Sequence, residues 1–240
     1  MSIKVLYDNI IFELQHAGGI SNVWYNLIKQ INNKRNINLS FIEGSKINNI
    51  FRNKININDD KIINDKLYPL IFRRFIHVQN KNNFDIYHSS YFRPLKLKAV
   101  NKTKVVLTVH DFIYEKFNSY LTRKVHVFFK NRALKQADIV ICVSDSTKTD
   151  FINFYPNFNP KKIKVVYNGV DEIFKPIQKK QNININGLHL NNQNFLLYVG
   201  NRGYCKNFNF VLKIFHQLPS HMNDFNLICI GGVVHQKENK

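Results

Sequence analysis

The sequence has no apolar run near the ~20 residues that a membrane-spanning helix needs. Its first residues, MSIKVLYDNI, enter a strand pattern directly, with no charged leader and no small-residue cleavage site. A soluble, cytoplasmic chain is therefore expected. Cysteine is scarce: Cys142, Cys205 and Cys229 are scattered and lie mostly in apolar runs, which argues against a disulfide framework or a zinc site. No Asp-x-Asp occurs and no His, Cys or carboxylate cluster has metal-ligand spacing, so no metal is expected. Neither G-x-x-x-x-G-K-[ST] nor G-x-G-x-x-G is present, which removes the usual sequence grounds for a P-loop ATPase or a nicotinamide dehydrogenase. Acidic residues are few, 16 Asp and Glu against 35 Lys and Arg, for a formal net charge of +19. That excess attracts polyanions, whether nucleic acid, anionic lipid head groups or phosphorylated ligands, and its sign alone does not choose among them.

What is present is ample for a buried core: 240 residues, 44% hydrophobic and 13% aromatic. Asn, Ile and Lys tracts such as "INNIFRNKININDDKIIND" reflect an AT-rich coding bias more simply than a function. Short β-branched runs alternate with helical patterns, which indicates an α/β protein with a largely parallel sheet. "IKVLYD" reads as a strand, "NIIFELQHAGG" as a loop, and "ISNVWYNLIKQI" as a helix with Ile20, Val23, Trp24, Leu27, Ile28 and Ile31 on one face. Residues 36–80 give no clear assignment. Strands "FDIYHS" and "KVVLTVHD" follow, then a helix over 119–136 expected to turn Leu121, Val125, Phe128 and Phe129 inward and Arg123, Lys124, Lys130 and Arg132 largely outward. After it come strand "ADIVICVS", a helix capped by Ser144 or Ser146, and strand "KIKVVYNGVD" closed by an Asn-Gly turn. The expected division is a first domain over 1–171, a polar linker over 172–194, and a second strand-turn-helix-strand unit over 195–240.

In open α/β sheets, ligands bind outside the carboxyl ends of the strands, so the residues placed there are the candidates. Gly18 and Gly19 precede a helix, which either lets a ligand approach the backbone or simply makes a turn. His110 and Asp111 end a strand, as a proton-handling pair or as a loop brace. Arg202 and Lys206 sit in a strand-to-helix turn, "LYVGNRGYCKNF", where a helix N-terminus and two cations suit a diphosphate; a solvated turn with idle cations is the alternative.

The ordered set "AGGISNVWYNL", "DIYHSSYF", "VVLTVHD", "ADIVICVSDSTKTDF", "KIKVVYNGVDEIF" and "FLLYVGNRGYCKNF" resembles the retaining GT-B glycosyltransferases of family 4, especially the branch containing O-antigen mannosyltransferases. The likeness runs from residue 5 to about 232. It implies two facing Rossmann-like domains and transfer of a hexose, mannose from GDP-mannose being favoured, to a saccharide or lipid-linked acceptor in polysaccharide biosynthesis. The donor is a substrate, and no further cofactor is implied. Carried over by position, Gly18 and Gly19 match the loop that approaches the donor diphosphate, His110 the catalytic "HD" histidine near the transferred sugar, and Arg202 and Lys206 the cations that grip the diphosphate. The family's Glu-x7-Glu pair is missing, and the second domain stops after its first β-α-β, so the chain by itself is expected to be inactive. Lipid-linked acceptors and the cationic face of residues 121–135 further suggest peripheral contact with anionic membrane. Other readings are a non-catalytic remnant of such an enzyme, or a basic nucleic-acid-binding module. Against a nucleic-acid partner, the cations are spread over both halves and no nucleic-acid motif is present.

Overall fold

The computed structural model describes residues 2–65, 70, 76–79, 83–96, 102–176, 184–185, 188–189, 193–222 and 224–231. They fall into two compact units, Met1–Gly169 and Val170–Lys240. The first unit is built on strands β1 (Ile3–Asp8), β2 (Ile37–Glu43), β3 (Ile62–Asn64), β5 (Ile86–Ser89), β7 (Lys104–Val109), β8 (Ile139–Cys142) and β9 (Ile163–Val165). A small pair, β4 (Val78–Gln79) and β6 (Leu95–Lys96), lies outside that sheet. The helices of this unit are α1 (Ile11–Leu14), α2 (Gly19–Ile31), α3 (Ile113–Phe117), α4 (Tyr120–Gln136) and α5 (Asp145–Phe154).

The seven strands run parallel in the order β3-β2-β1-β5-β7-β8-β9. This is a Rossmann-like α/β fold: strand order grows outward in both directions from the β1/β5 junction, and a junction of this kind opens a crevice at the carboxyl edge. The register Leu6↔Tyr87↔Val105 sends one set of side chains to one face, where they pack with Ile42, Val78, Phe84 and Leu95. Further along that face Leu107, Val109, Val140 and Cys142 meet Ala133 and Leu134 of α4 and Phe151 of α5. The opposite set, Val5 and Tyr7 with Leu39 and Phe41, packs on Trp24 and Ile28 of α2. With both faces covered, the strands can be near-continuous apolar runs, as "KVVLTV" is. Each fully buried large side chain contributes about 1.5–3 kcal/mol.

Three expectations change. The segment read as a loop after β1 contains the helical turn α1, because Ile10, Ile11 and Phe12 are buried there at 1% exposure or less. Residues 36–80, left unassigned, supply β2 and β3. Helix α4 takes the expected facing only in part: Arg123 and Lys124 are exposed as expected, but the apolar side is not the buried one. Leu121, Val125 and Phe128 are 74%, 43% and 59% exposed, whereas Lys130 is completely buried. Apolar spacing suggested the opposite because it cannot register an ion pair: Lys130 Nζ meets Glu115 Oε1 of α3 at 2.7 Å and stands 3.7 Å from the Phe112 ring centre. Burial pushes the Lys130 ammonium pKa down, with the Glu115 carboxylate opposing that shift.

In the second unit, β12 (Phe195–Val199) and β13 (Asn226–Ile230) pair in parallel around helix α6 (Phe208–His216), giving a β-α-β element. Of the segment expected to be a linker, 177–183, 186–187 and 190–192 lie outside the described residues, and β10 (Asn184–Ile185) pairs antiparallel with β11 (Leu188–His189).

Removing one member of the Lys130–Glu115 pair leaves a buried charge without its counter-ion. Lys130→Met is expected to cost about 3–5 kcal/mol in urea unfolding, and adding Glu115→Gln should recover part of that loss. A single-variant cost below about 1 kcal/mol would show that the pair does not anchor α4.

Candidate active site

The carboxyl edge is assembled from the ends of β1, β5, β7 and β8. Strand β1 ends at Asp8 and Asn9 follows it, both fully buried. Asn9 joins two elements: Trp24 Nε1–H donates to its Oδ1 at 2.7 Å, and its Nδ2 donates to Glu43 Oε1 at 2.7 Å. Glu43 is gripped by Arg52 through Nε to Oε1 at 2.6 Å and Nη2 to Oε2 at 3.0 Å. The chain Trp24–Asn9–Glu43–Arg52 therefore fixes α2 against the ends of β1 and β2. Asp8 receives Ser89 Oγ–H at 3.2 Å and faces Arg93 Nη1 at 3.4 Å, while Ser90 Oγ–H donates to its carbonyl at 2.6 Å. Burial pushes the Asp8 carboxyl pKa up, and Arg93 is the main opposing influence. Sequence reasoning missed this network. The one available signal was a strand ending "YDN", two polar residues where an apolar run stops.

With α2 so placed, its N-terminus opens on the same edge. Gly18 caps it in an extended conformation, and its carbonyl accepts from Ser21 Oγ and from the Asn22 amide, each at 3.0 Å. The Ser21 amide donates to Gln15 Oε1 at 3.3 Å, so one of the helix's initial N–H groups is already engaged. A Cβ on Gly18 would fall 2.4 Å from that same Gln15 oxygen, the far end of a flexible side chain. A Cβ on Gly19 would meet nothing within 4 Å. The fold does not demand glycine at 19; its absence of a side chain leaves the first turn of α2 open.

His110 follows β7 directly. Its ring has no hydrogen-bond partner among the described residues, and burial lowers its pKa from 6.5 to about 4, with Asp111 opposing. Asp111 takes up the bracing role, since its Oδ1 accepts the Ile113 amide at 3.0 Å at the start of α3. The neighbouring His88 packs edge-on to Trp24 with ring centres 4.9 Å apart, and its Nε2 pairs with Thr108 Oγ1 at 2.8 Å. Burial, aided by His110, lowers its pKa to about 3. Next along the edge, Ser144 Oγ accepts the Thr147 amide at 3.0 Å, so Ser144 is the cap of α5, and Thr147 Oγ–H donates to the His110 carbonyl at 3.4 Å. Gly18, Gly19 and His110 thus share the carboxyl edge of one sheet.

Arg202 and Lys206 belong to a single turn of the second unit. Gly200, at φ +149°, leaves β12 in a backbone region that favours glycine, and its amide donates to the Ile230 carbonyl at 2.9 Å. The turn is tightened by Tyr198 O–H donating to the Asn201 carbonyl at 2.7 Å and by the Lys206 amide donating to the Gly203 carbonyl at 2.8 Å. Arg202 lies over the Phe208 ring, 5.2 Å from its centre, while Lys206 is exposed. Asn207, at φ 50°, then starts α6 from a left-handed conformation that Asn tolerates better than most residues. Among the described residues no group of three or more His, Cys, Asp or Glu side chains is arranged to hold a metal ion.

Residues 17–173 match the profile of Glycosyltransferase Family 4, a span that begins beside Gly18, includes His110 and covers more than half of the chain. A search of curated proteins returns no significant match.

The two neutral histidines set a pH dependence. Unfolded, each takes up a proton near 6.5; folded, His110 does so at about 4 and His88 at about 3. Their contribution is complete above pH 6.5 and is lost as pH falls, at about 1.4 kcal/mol per pH unit for each proton. Urea titrations between pH 6.5 and 5 should therefore show a shallower loss of stability in His110→Gln than in the parent. Equal slopes would contradict the half-buried, neutral placement of His110.

Proposed function

Because the chain belongs to Glycosyltransferase Family 4, we propose that it transfers a hexose from a nucleoside diphosphate sugar to a saccharide or lipid-linked acceptor, with retention of anomeric configuration. GDP-mannose is the favoured donor and polysaccharide assembly the favoured setting, both on the likeness of the ordered motifs to the O-antigen mannosyltransferase branch.

The observation that carries the reading is His110: a neutral imidazole at the carboxyl end of β7 whose ring has no hydrogen-bond partner among the described residues. A neutral imidazole can exchange hydrogen bonds with sugar hydroxyls without placing a cation beside an anomeric centre that itself becomes positive. Charge of the opposite sign grows on the departing diphosphate, and its neutralisation is the main electrostatic task of such a transfer. Arg202 and Lys206, presented by one turn at the start of α6, are suited to that task. The open first turn of α2 at Gly19 lets a phosphate come close to the backbone.

Donor engagement tests the reading without requiring turnover. At millimolar concentration, GDP and inorganic pyrophosphate should shift the amide resonances of residues 200–208, while GMP and free mannose should not. The Arg202→Ala/Lys206→Ala variant should weaken the response about ten-fold or more, since two charge-assisted contacts are lost. GMP acting as well as GDP, or a double variant that responds like the parent, would overturn the diphosphate assignment. Gly19→Leu supplies a second check: a side chain in open space should leave the melting temperature within a few degrees while weakening the shift of the Gly18–Ser21 amides when pyrophosphate is added. An undiminished shift of those amides would remove Gly19 from the donor path.

A further inference from the structure

Helix α4 and the end of α5 border two adjoining grooves of about 630 and 780 Å³, which share Glu115, Val127, Phe128, Asn131 and Phe154 as lining. That size suits a small ligand. The larger groove continues past Tyr155 and Asn157 to Lys135 and Lys162, residues that lead into the starts of β8 and β9. It therefore runs toward the amino edge of the sheet, away from the carboxyl edge where His110 stands.

The floor of the groove holds an unanswered acceptor. Glu115 is 4% exposed, and its Oε1 accepts from Lys130 Nζ at 2.7 Å, while its buried Oε2 has no hydrogen-bond partner among the described residues. A buried carboxylate oxygen without a donor is costly, and a hydroxyl group lying in the groove would supply one. Tyr155, Asn131 and Asn157 line the same groove, and the Tyr155 hydroxyl and both side-chain amides make no hydrogen bond among the described residues. Burial and the Glu115 carboxylate push the Tyr155 hydroxyl pKa up, so it stays neutral. Flat apolar surface stands beside these groups. Phe154 is stacked on Phe112 with ring centres 5.1 Å and planes 7° apart, which fixes one face of the ring while the residue remains 42% exposed. Among the described lining residues the one acid is Glu115, already paired with Lys130, so Lys135 and Lys162 leave the far end of the groove cationic.

We propose that this groove binds an acidic saccharide, with a pyranose ring against Phe154, a hydroxyl donating to Glu115 Oε2, others exchanging hydrogen bonds with Tyr155, Asn131 and Asn157, and a carboxylate beside Lys135 and Lys162. Such a ligand matches the lining group by group. Ring C–H groups, partly positive, pack on the negative face of an aromatic ring, and a run of hydroxyls serves donors and acceptors alike. A cationic amine would meet the Glu115 oxygen but also the two lysines, and a purely apolar ligand would leave that oxygen unpaired. The proposal stands independently of the transferase reading.

Amide resonances of the full chain test it. Tetragalacturonate at millimolar concentration is expected to shift residues 131–135 and 154–159, and maltotetraose, neutral and of the same length, to bind about ten-fold more weakly. A net charge of +19 attracts any polyanion, so tetraglutamate serves as the control and should also bind about ten-fold more weakly than tetragalacturonate. Tyr155→Phe/Asn131→Ala removes a hydroxyl and an amide without touching the Lys130–Glu115 pair; it should weaken binding about ten-fold while the melting temperature stays within a few degrees. Asn157→Ala, at an exposed position, should weaken it about three-fold. Lys135→Glu should cost more binding than Lys29→Glu, an exposed cation of α2 outside the groove. No response to tetragalacturonate, shifts confined to the Gly18–Ser21 amides of the carboxyl edge, equal responses to maltotetraose or tetraglutamate, full binding by the Tyr155→Phe/Asn131→Ala and Asn157→Ala variants, or equal losses from the two charge reversals would overturn the proposal.

Discussion

Seven parallel strands bring all their carboxyl ends to one edge, and every polar group that the chain leaves there must find a partner or be exposed to a ligand. The first unit meets this constraint by burying a polar lattice at the β1/β5 junction. Asp8 is enclosed by Ser89 and Arg93, and Asn9 joins Trp24 to Glu43 and hence to Arg52. A hydrogen-bonded lattice is directional in a way that apolar packing is not. It sets the position of α2 on the sheet, and with it where the open turn at Gly19 stands on the carboxyl edge. Loss of any one member would strand buried partners, so the arrangement behaves as a unit.

The same burial that makes the lattice obligatory shapes the chemistry beside it. Trp24, fixed by Asn9, closes over His88, and His88 is the charged-form competitor nearest His110. Desolvation keeps both rings neutral, and Asp111 is engaged at the start of α3 through the Ile113 amide. Structure and site are therefore linked through one path: a polar strand end orders a helix, the helix covers a histidine, and a neutral histidine faces the edge where the family's donor sugar is expected.

Much of this was legible in the sequence. The strands "IKVLYD", "KVVLTVHD" and "ADIVICVS" are apolar runs that stop abruptly, and the stop at His110 marks where β7 ends. Helix α2 was legible because Trp24 and Ile28 follow a 3.6-residue period over a long enough window. The facing of α4 was not. Its exposed stripe of Leu121, Val125 and Phe128 looks like a core face to any count of apolar residues, and its buried face depends on Glu115, separated from Lys130 by 15 residues of sequence. Asn9, Glu43 and Arg52 were hidden for a related reason: each is an ordinary polar residue until the sheet brings it to the others. The roles given to Arg202 and Lys206 came from two cations in a strand-to-helix turn and from motif order, and the geometry of that turn adds only that one cation is braced on Phe208 and the other is exposed.

The central claim is that the carboxyl edge of the first unit receives the sugar of a nucleoside diphosphate donor beside His110. Histidine-selective isotope labelling measures this directly, because His110 can be identified through His110→Gln and followed as GDP-mannose is added. The account predicts that the His110 imidazole signals shift with donor concentration while those of His126, packed against Tyr114 on the other face of the sheet, stay in place. An unmoved His110 at donor concentrations that shift the residues 200–208 turn would contradict it.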